Sequence, residues 1–170
     1  MVVMKGYKKI DPQQMEGNVF EKIGSQWMLI TAGNEESYNT MTASWGGMGV
    51  LWNKNVVFAF VRPGRYTRQF MDREKQFTLS FFCEGYKKAL AYCGRVSGRD
   101  ADKAKECGLT PVEVDGSIAF AEAEMIIKCR TIATDNIHPE GFEDMGIEDN
   151  YPEKDYHIVY IGEIEGVYVK

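Results

Sequence analysis

The stretch Ala119-Phe120-Ala121-Glu122-Ala123-Glu124-Met125-Ile126-Ile127-Lys128-Cys129-Arg130-Thr131 alternates with a period of two. Glu122, Glu124, Lys128 and Arg130 share one face, Ala121, Ala123, Met125, Ile127 and Cys129 share the other, and only Ile126 breaks the rule. This predicts one long strand over 118–131 with one solvated face. Strands of a buried parallel sheet read instead as continuous apolar runs, so the pattern points to an antiparallel sheet. Working outward, strand signals recur at 27–32, 38–45, 55–62, 77–82 and 157–169, and Gly33-Asn34-Glu35-Glu36-Ser37 has the character of a hairpin connection. Gly162 and Gly166 inside the last strand predict a bend or bulge. Helical signals are short: 67–74 with Phe70 and Met71 inward and Thr67 near its start, 86–92 stopped by Gly94, and 97–106 ended by Gly108. With no βαβ alternation, the expected fold is mainly β, a closed antiparallel barrel with short peripheral helices, because closure removes exposed sheet edges.

The 170 residues, 44% hydrophobic and 26% charged, are read as a single domain over 1–170 with enough core to need no disulfide or metal. A net charge of -5 and a pI near 5.2 argue against a general nucleic-acid surface but leave room for a local basic pocket. The N-terminus shows no apolar leader and no segment has the length of a membrane span, so the expectation is a cytoplasmic protein without a membrane partner. Cys83, Cys93, Cys107 and Cys129 form no Cys-x-x-Cys pair, and with His138 and His157 as the only histidines no metal site is expected.

Two pieces carry the chemistry. Asn39-Thr40-Met41-Thr42-Ala43-Ser44-Trp45-Gly46-Gly47 is a run of small hydroxyl residues ending in an indole and two glycines, and Arg62-Pro63-Gly64-Arg65-Tyr66-Thr67 is a basic, hydroxyl-bearing turn into a helix. The intervening strand, Asn55 onward, returns the chain antiparallel and brings both to one end of a sheet. A strand-to-helix turn with guanidinium and hydroxyl donors makes a directed anion site, and a flavin suits the first piece, because its ring edge pairs with backbone groups and its face meets an aromatic such as Trp45 or Trp52. Taken singly, Thr40, Thr42 and Ser44 are ordinary strand residues and the basic turn a solvated cap; their combination is what points to a cradle for a flat, phosphorylated ligand. Gly47-Met48-Gly49 is followed by a strand, not a helix, which excludes a dinucleotide fingerprint, and neither a P-loop nor a nucleophile elbow occurs.

These two pieces, with Tyr92-Cys93-Gly94-Arg95-Val96-Ser97-Gly98-Arg99-Asp100, Asp102-Lys103 and the terminal His157-x-x-x-x-Gly162-Glu163-Ile164, resemble the flavin reductase-like proteins, most closely the flavoredoxin branch, over about 27–167. The resemblance implies a split barrel that binds FMN non-covalently, usually as a homodimer with the cofactor near the subunit interface. Carried onto this chain, Met41, Thr42, Ala43, Ser44 and Trp45 would line the isoalloxazine. Arg65, Tyr66 and Thr67, with Ser97 and Lys103, would hold the ribityl phosphate, and Asn39 and Arg62 complete the cofactor set. The implied activity is that of a flavin reductase-type oxidoreductase taking hydride from NAD(P)H, or electrons from a protein donor, for a flavin, metal-complex or protein acceptor. The alternative is a non-catalytic electron-transfer protein whose partner docks on the acidic excursion over 134–155, around Glu143, Asp144, Glu148 and Asp149. His157 has two readings, a flavin-proximal catalytic histidine of the reductase type and a strand histidine bonded to the barrel wall. Cys93 is either a redox thiol near the flavin or, more simply, a residue of a helix face.

Overall fold

The structure, a computed structural model, describes residues 4–170; Met1, Val2 and Val3, where the reading of the N-terminus begins, lie outside the described residues. In chain order the elements are β1 Lys8–Ile10, β2 Met28–Gly33, β3 Tyr38–Ala43, β4 Gly46–Leu51, β5 Lys54–Val61, α1 Thr67–Glu74 and β6 Gln76–Phe81. They continue with α2 Lys87–Arg95, α3 Lys103–Glu106, β7 Pro111–Val114, β8 Ser117–Phe120, β9 Met125–Asn136 and β10 Ile158–Val169. Seven strands run in the order β3-β2-β6-β9-β10-β5-β4, β1 pairs β10, and β7-β8 is a separate hairpin. Every pairing is antiparallel.

The ladder is open where a closed barrel was expected. β3 and β4 are the two ends of the path, and no hydrogen-bonded register joins them among the described residues. Only Ser44 and Trp45 separate them in sequence, a link too short to span more than roughly 11 Å between Ala43 and Gly46. The sheet is therefore curled until its edges meet at this corner, and the corner is left split.

The 118–131 strand is also corrected. β8 ends at Phe120 and β9 begins at Met125, so Glu122 and Glu124 belong to the turn between them. Lys128, expected in solvent, is buried and paired with Glu165. The exception Ile126 gives the reason. Met125, Ile127 and Cys129 enter the core inside the curl with Ile30, Val57 and Phe77, whereas Ile126 enters a second core with Leu29, Phe82, Leu90 and Phe120, beneath α2 and the β7-β8 hairpin. A strand covered on both faces needs apolar residues on both.

The glycines of β10 do what their placement predicts. The register with β9 shifts between Ile161 and Gly162 and again between Ile164 and Gly166, and a Cβ on Gly162 would lie 2.7 Å from Phe77 Cζ. α1 has the predicted bounds and buries Phe70 and Met71, but its N-cap, Tyr66, makes no side-chain capping bond. Gly94 lies inside α2 and does not stop it, and only the last turn of the 97–106 segment is helical. α1 and α2 both pack on β2 and β3, which places their ends beside the split corner.

Candidate functional site

Ser44 and Trp45 lie outside both ladders at the split. Opposite them stands the end of β5, since Gly46 pairs with Ala59, and β10 begins beside it with Ile158 opposite Val61. The result is a cleft of about 180 Å³ lined by Met41, Thr42, Ala43, Ser44, Trp45, Phe60, Arg62, Arg65 and His157. The two sequence pieces thus meet as expected. Trp45 is 46% exposed at the rim, with its ring centroid 5.2 Å from that of His157. The Thr42 hydroxyl donates to the Leu90 carbonyl of α2, which ties the β3 end to that helix.

A second cavity, of about 350 Å³, follows the same strand toward its start. Asn39 and Thr40 line it, with Tyr66, Phe70, Gly98, Asp102 and Lys103 among its other walls. Successive residues of β3 therefore serve both spaces. A Cβ on Gly98 would sit 1.9 Å from Asn39 Oδ1 and 3.1 Å from Tyr66 Cδ1, so the backbone approaches both side chains as only glycine allows. Tyr66 is flanked by the Arg99 guanidinium, 4.7 Å from its ring centroid.

Two cations define the junction of these spaces. Arg65 Nη1 donates to the Gly94 carbonyl at 2.6 Å and Lys103 Nζ to the Cys93 carbonyl at 3.1 Å. Both acceptors are last-turn carbonyls of α2, where cations are favoured by the helix dipole. Neither cation has a carboxylate partner among the described residues. Burial first, then Arg62, lowers the pKa of Arg65; burial also lowers that of Lys103, with Arg65 acting in the same direction against the neighbouring thiols. Lys103, buried in the wall of the glycine-tight cavity, and Arg65, half-buried in the adjoining cleft wall, are positive charges without carboxylates, and together they suit a bound dianion.

Arg62 is different. Its guanidinium bonds Asp155 Oδ1 at 2.6 Å and the Asn150 carbonyl at 2.8 Å, and lies 5.0 Å from the Tyr151 ring centroid. Arg62 lines the cleft, yet its charge is paired, and the pairing lowers the pKa of Asp155. It clips down the excursion after β9, which the sequence showed only as a long acidic loop. Within that segment Tyr151 is buried and its hydroxyl sits 2.8 Å from His157 Nδ1. Burial, then Arg62, pushes His157 down to about 4, with Asp155 opposing, so the imidazole is neutral at pH 7.

Other expected site residues are placed less directly. Thr67 is fully buried and accepts from Asn39 Nδ2 at 2.8 Å, so it orients Asn39 from behind the wall. The Ser97 hydroxyl accepts from the Arg99 amide at 3.2 Å. Thr67 and Ser97 line neither space. Cys93 is buried in α2 with Sγ 3.9 Å from Cys107 Sγ, and burial pushes its thiol up to about 12, which fits the helix-face reading. Phe60, Tyr151 and Asp155 were missed. Phe60 is legible in retrospect as the aromatic residue two before Arg62 at the end of the same strand; nothing in the sequence registers 150–155 against the cleft.

A sequence model described as flavin reductase like domain matches residues 20–170. The chain belongs to the flavin reductase-like family. A flavin-related redox function follows from that membership at the family level. Among solved structures, flavoredoxin of Desulfovibrio vulgaris (Miyazaki F) is 23% identical with a TM-score of 0.67, covering 92% of this chain and 77% of its own. Flavoredoxin from Methanosarcina acetivorans is 21% identical with a TM-score of 0.68, covering 85% and 68% respectively. An FMN-binding protein from Thermus thermophilus, solved with bound 1-cyclohex-2-enone, is 17% identical with a TM-score of 0.66, covering 94% and 79%. These likenesses establish the fold as that of flavin reductase-like proteins. No match was found among curated proteins. Among the described residues no helix is long and apolar enough to cross a membrane.

Proposed function

We propose that the protein is a flavoredoxin-like FMN-binding oxidoreductase that takes hydride from NAD(P)H and passes electrons to a flavin, metal-complex or protein acceptor. The observation that carries the reading is the pairing of an aromatic, polar-edged cleft with Arg65 and Lys103, two cations without carboxylates. Met41 to Trp45, with Phe60, supply a flat apolar wall and, at Ser44 and Trp45, backbone groups outside any ladder; these suit an isoalloxazine edge. Lys103, Asn39 and Tyr66 line the space suited to a ribityl phosphate, with Arg65 at its junction with the cleft and Thr67 holding Asn39. FMN, when bound, would supply reversible hydride acceptance. The chain's part is to hold the ring at the split corner, to neutralise the phosphate, and to present His157 at the cleft wall. Arg65 also raises the local positive potential, which favours a reduced, anionic ring.

A homodimer is part of this reading. It is supported by Trp45 at the cleft rim and by Val50 and Trp52, 72% and 58% exposed, on and just beyond the edge strand β4. The cytoplasm, where a reduced nicotinamide donor is available, is the proposed location. The electron-carrier alternative is favoured by one observation: the acidic segment with Met145 exposed is clipped directly to the cleft through Arg62. Anaerobic stopped-flow of the FMN-loaded protein separates the two. Rapid bleaching by NADH or NADPH is expected for the reductase; absent bleaching, with reduction by a protein donor, establishes the carrier. Failure to bind FMN in an equilibrium titration overturns both.

A further inference from the structure

We infer that Tyr151 is a positioning residue that fixes His157 as the Nε2–H tautomer, so that the cleft wall presents a neutral hydrogen-bond donor to an acceptor atom of its occupant. The inference rests on the proposed function for the nature of that occupant, a carbonyl or carboxamide oxygen of a flavin or a nicotinamide, but not for the tautomer itself.

The argument begins with proton placement. The Tyr151 hydroxyl and His157 Nδ1 are 2.8 Å apart and both residues are buried, Tyr151 7% and His157 8% exposed. The phenol carries one proton, and among the described residues the only acceptor within reach of that proton is Nδ1, the backbone N–H of His157 being a donor to the phenol oxygen. If Nδ1 held the imidazole proton, the phenol would become the acceptor and its own proton would lose a partner in a buried setting. The phenol therefore donates, Nδ1 accepts, and the imidazole proton resides on Nε2. Nε2 has no protein partner among the described residues, and His157 lines the cleft between Trp45 and Phe60.

The loop that carries Tyr151 is held rigidly enough for this role. Arg62 bonds Asn150 on one side of it and Asp155 on the other, while its guanidinium covers the Tyr151 ring. The rings of Phe142 and Tyr156 pack on the same tyrosine, with centroids 6.4 and 5.0 Å away. The charged groups that act on His157 are Arg62 at the end of β5, Arg65 in the following turn and Asp155 beside it; the two guanidiniums disfavour an imidazolium. A neutral ring with its proton on Nε2 can orient an acceptor, and it cannot take a proton at that nitrogen.

Long-range proton–nitrogen NMR on the uniformly labelled full chain tests this with and without FMN. The chain has two histidines, and His138→Gln assigns the pair. The expected spectrum gives His157 a pyrrole-type shift at Nε2 and a pyridine-type shift at Nδ1 from about pH 5.5 to about pH 8. Tyr151→Phe keeps the ring under Arg62 and removes the hydroxyl. In that variant the two nitrogen shifts should move toward an average, and flavin reduction by NAD(P)H should slow about 3- to 10-fold at unchanged FMN affinity, through lost orientation. A pyrrole-type Nδ1 in the parent protein overturns the inference whether or not the variant folds. Unchanged shifts in a folded Tyr151→Phe protein overturn it too. The predicted tautomer in a protein that binds no FMN upholds the inference and removes the proposed function instead.

Discussion

The cleft at Trp45 and the cavity at Lys103 share one strand, yet their charges are arranged in opposite ways. On the cleft side Arg62 is answered by Asp155, and the nearby imidazole is kept neutral. Where the two meet, Arg65 in the cleft wall and Lys103 in the cavity wall have only the last carbonyls of α2. The His157 end of the cleft is finished electrostatically by the protein's own groups; its junction with the cavity is complete only with an anion. A ligand with a flat neutral head and a charged tail satisfies both, and the difference assigns each end of it to a side.

The largest expected effect tests that assignment. Arg65→Ala and Lys103→Met should each weaken FMN binding by about 1.5–3 kcal/mol, the range for a hydrogen bond to a charged group, while riboflavin, which lacks the phosphate, binds the variants as it binds the parent. Titrations with both ligands measure this. An equal loss for the two flavins would mean that the cations serve α2 alone.

Gly98→Ala should come next. The new Cβ would meet Asn39 Oδ1 at 1.9 Å and drive Asn39 off Thr67, at a cost of about 1–3 kcal/mol in stability for overpacking. Urea unfolding reads it directly; a variant as stable as the parent would mean the cavity wall yields freely.

His157 sharpens the contrast through pH. Its pKa is near 4 in the folded chain against 6.5 in the unfolded one, so the unfolded state binds the extra proton as pH falls through that window. The stability that neutral His157 contributes is complete above about pH 6.5 and is lost progressively toward pH 4. The parent should therefore lose stability relative to His157→Asn between about pH 7 and pH 5. Parallel melting curves for the two proteins would place a charged histidine in the cleft.

The smallest effect belongs to Asp155→Asn. Its pair with Arg62 is partly exposed, which limits the expected loss to about 0.2–1 kcal/mol. The informative readout is local: faster amide exchange over residues 150–156 with the rest of the sheet unchanged. Uniform exchange rates would mean that Arg62 does not hold this segment.

The sequence by itself determined the antiparallel class, the bounds of α1, the bulged last strand and the meeting of the residues around Trp45 with those around Arg65. Each follows from local causes: a period of two, a helical stripe at Phe70 and Met71, glycines inside β10, and a returning strand of known length. Only the tertiary structure decided that β9 is covered on both faces, that the sheet stays split at Ser44 and Trp45, and that Thr67 works from behind the wall. It also decided the partners of the charges. Arg62 and Arg65 are three residues apart and chemically alike in the sequence, and what separates them is where residues 94 and 155 arrive. Such arrivals are set by the packing of distant segments, which no local period encodes. The same holds for Tyr151 and His157: their spacing is ordinary for a loop entering a strand, and their hydrogen bond exists because Arg62, just past the end of β5, holds that loop down.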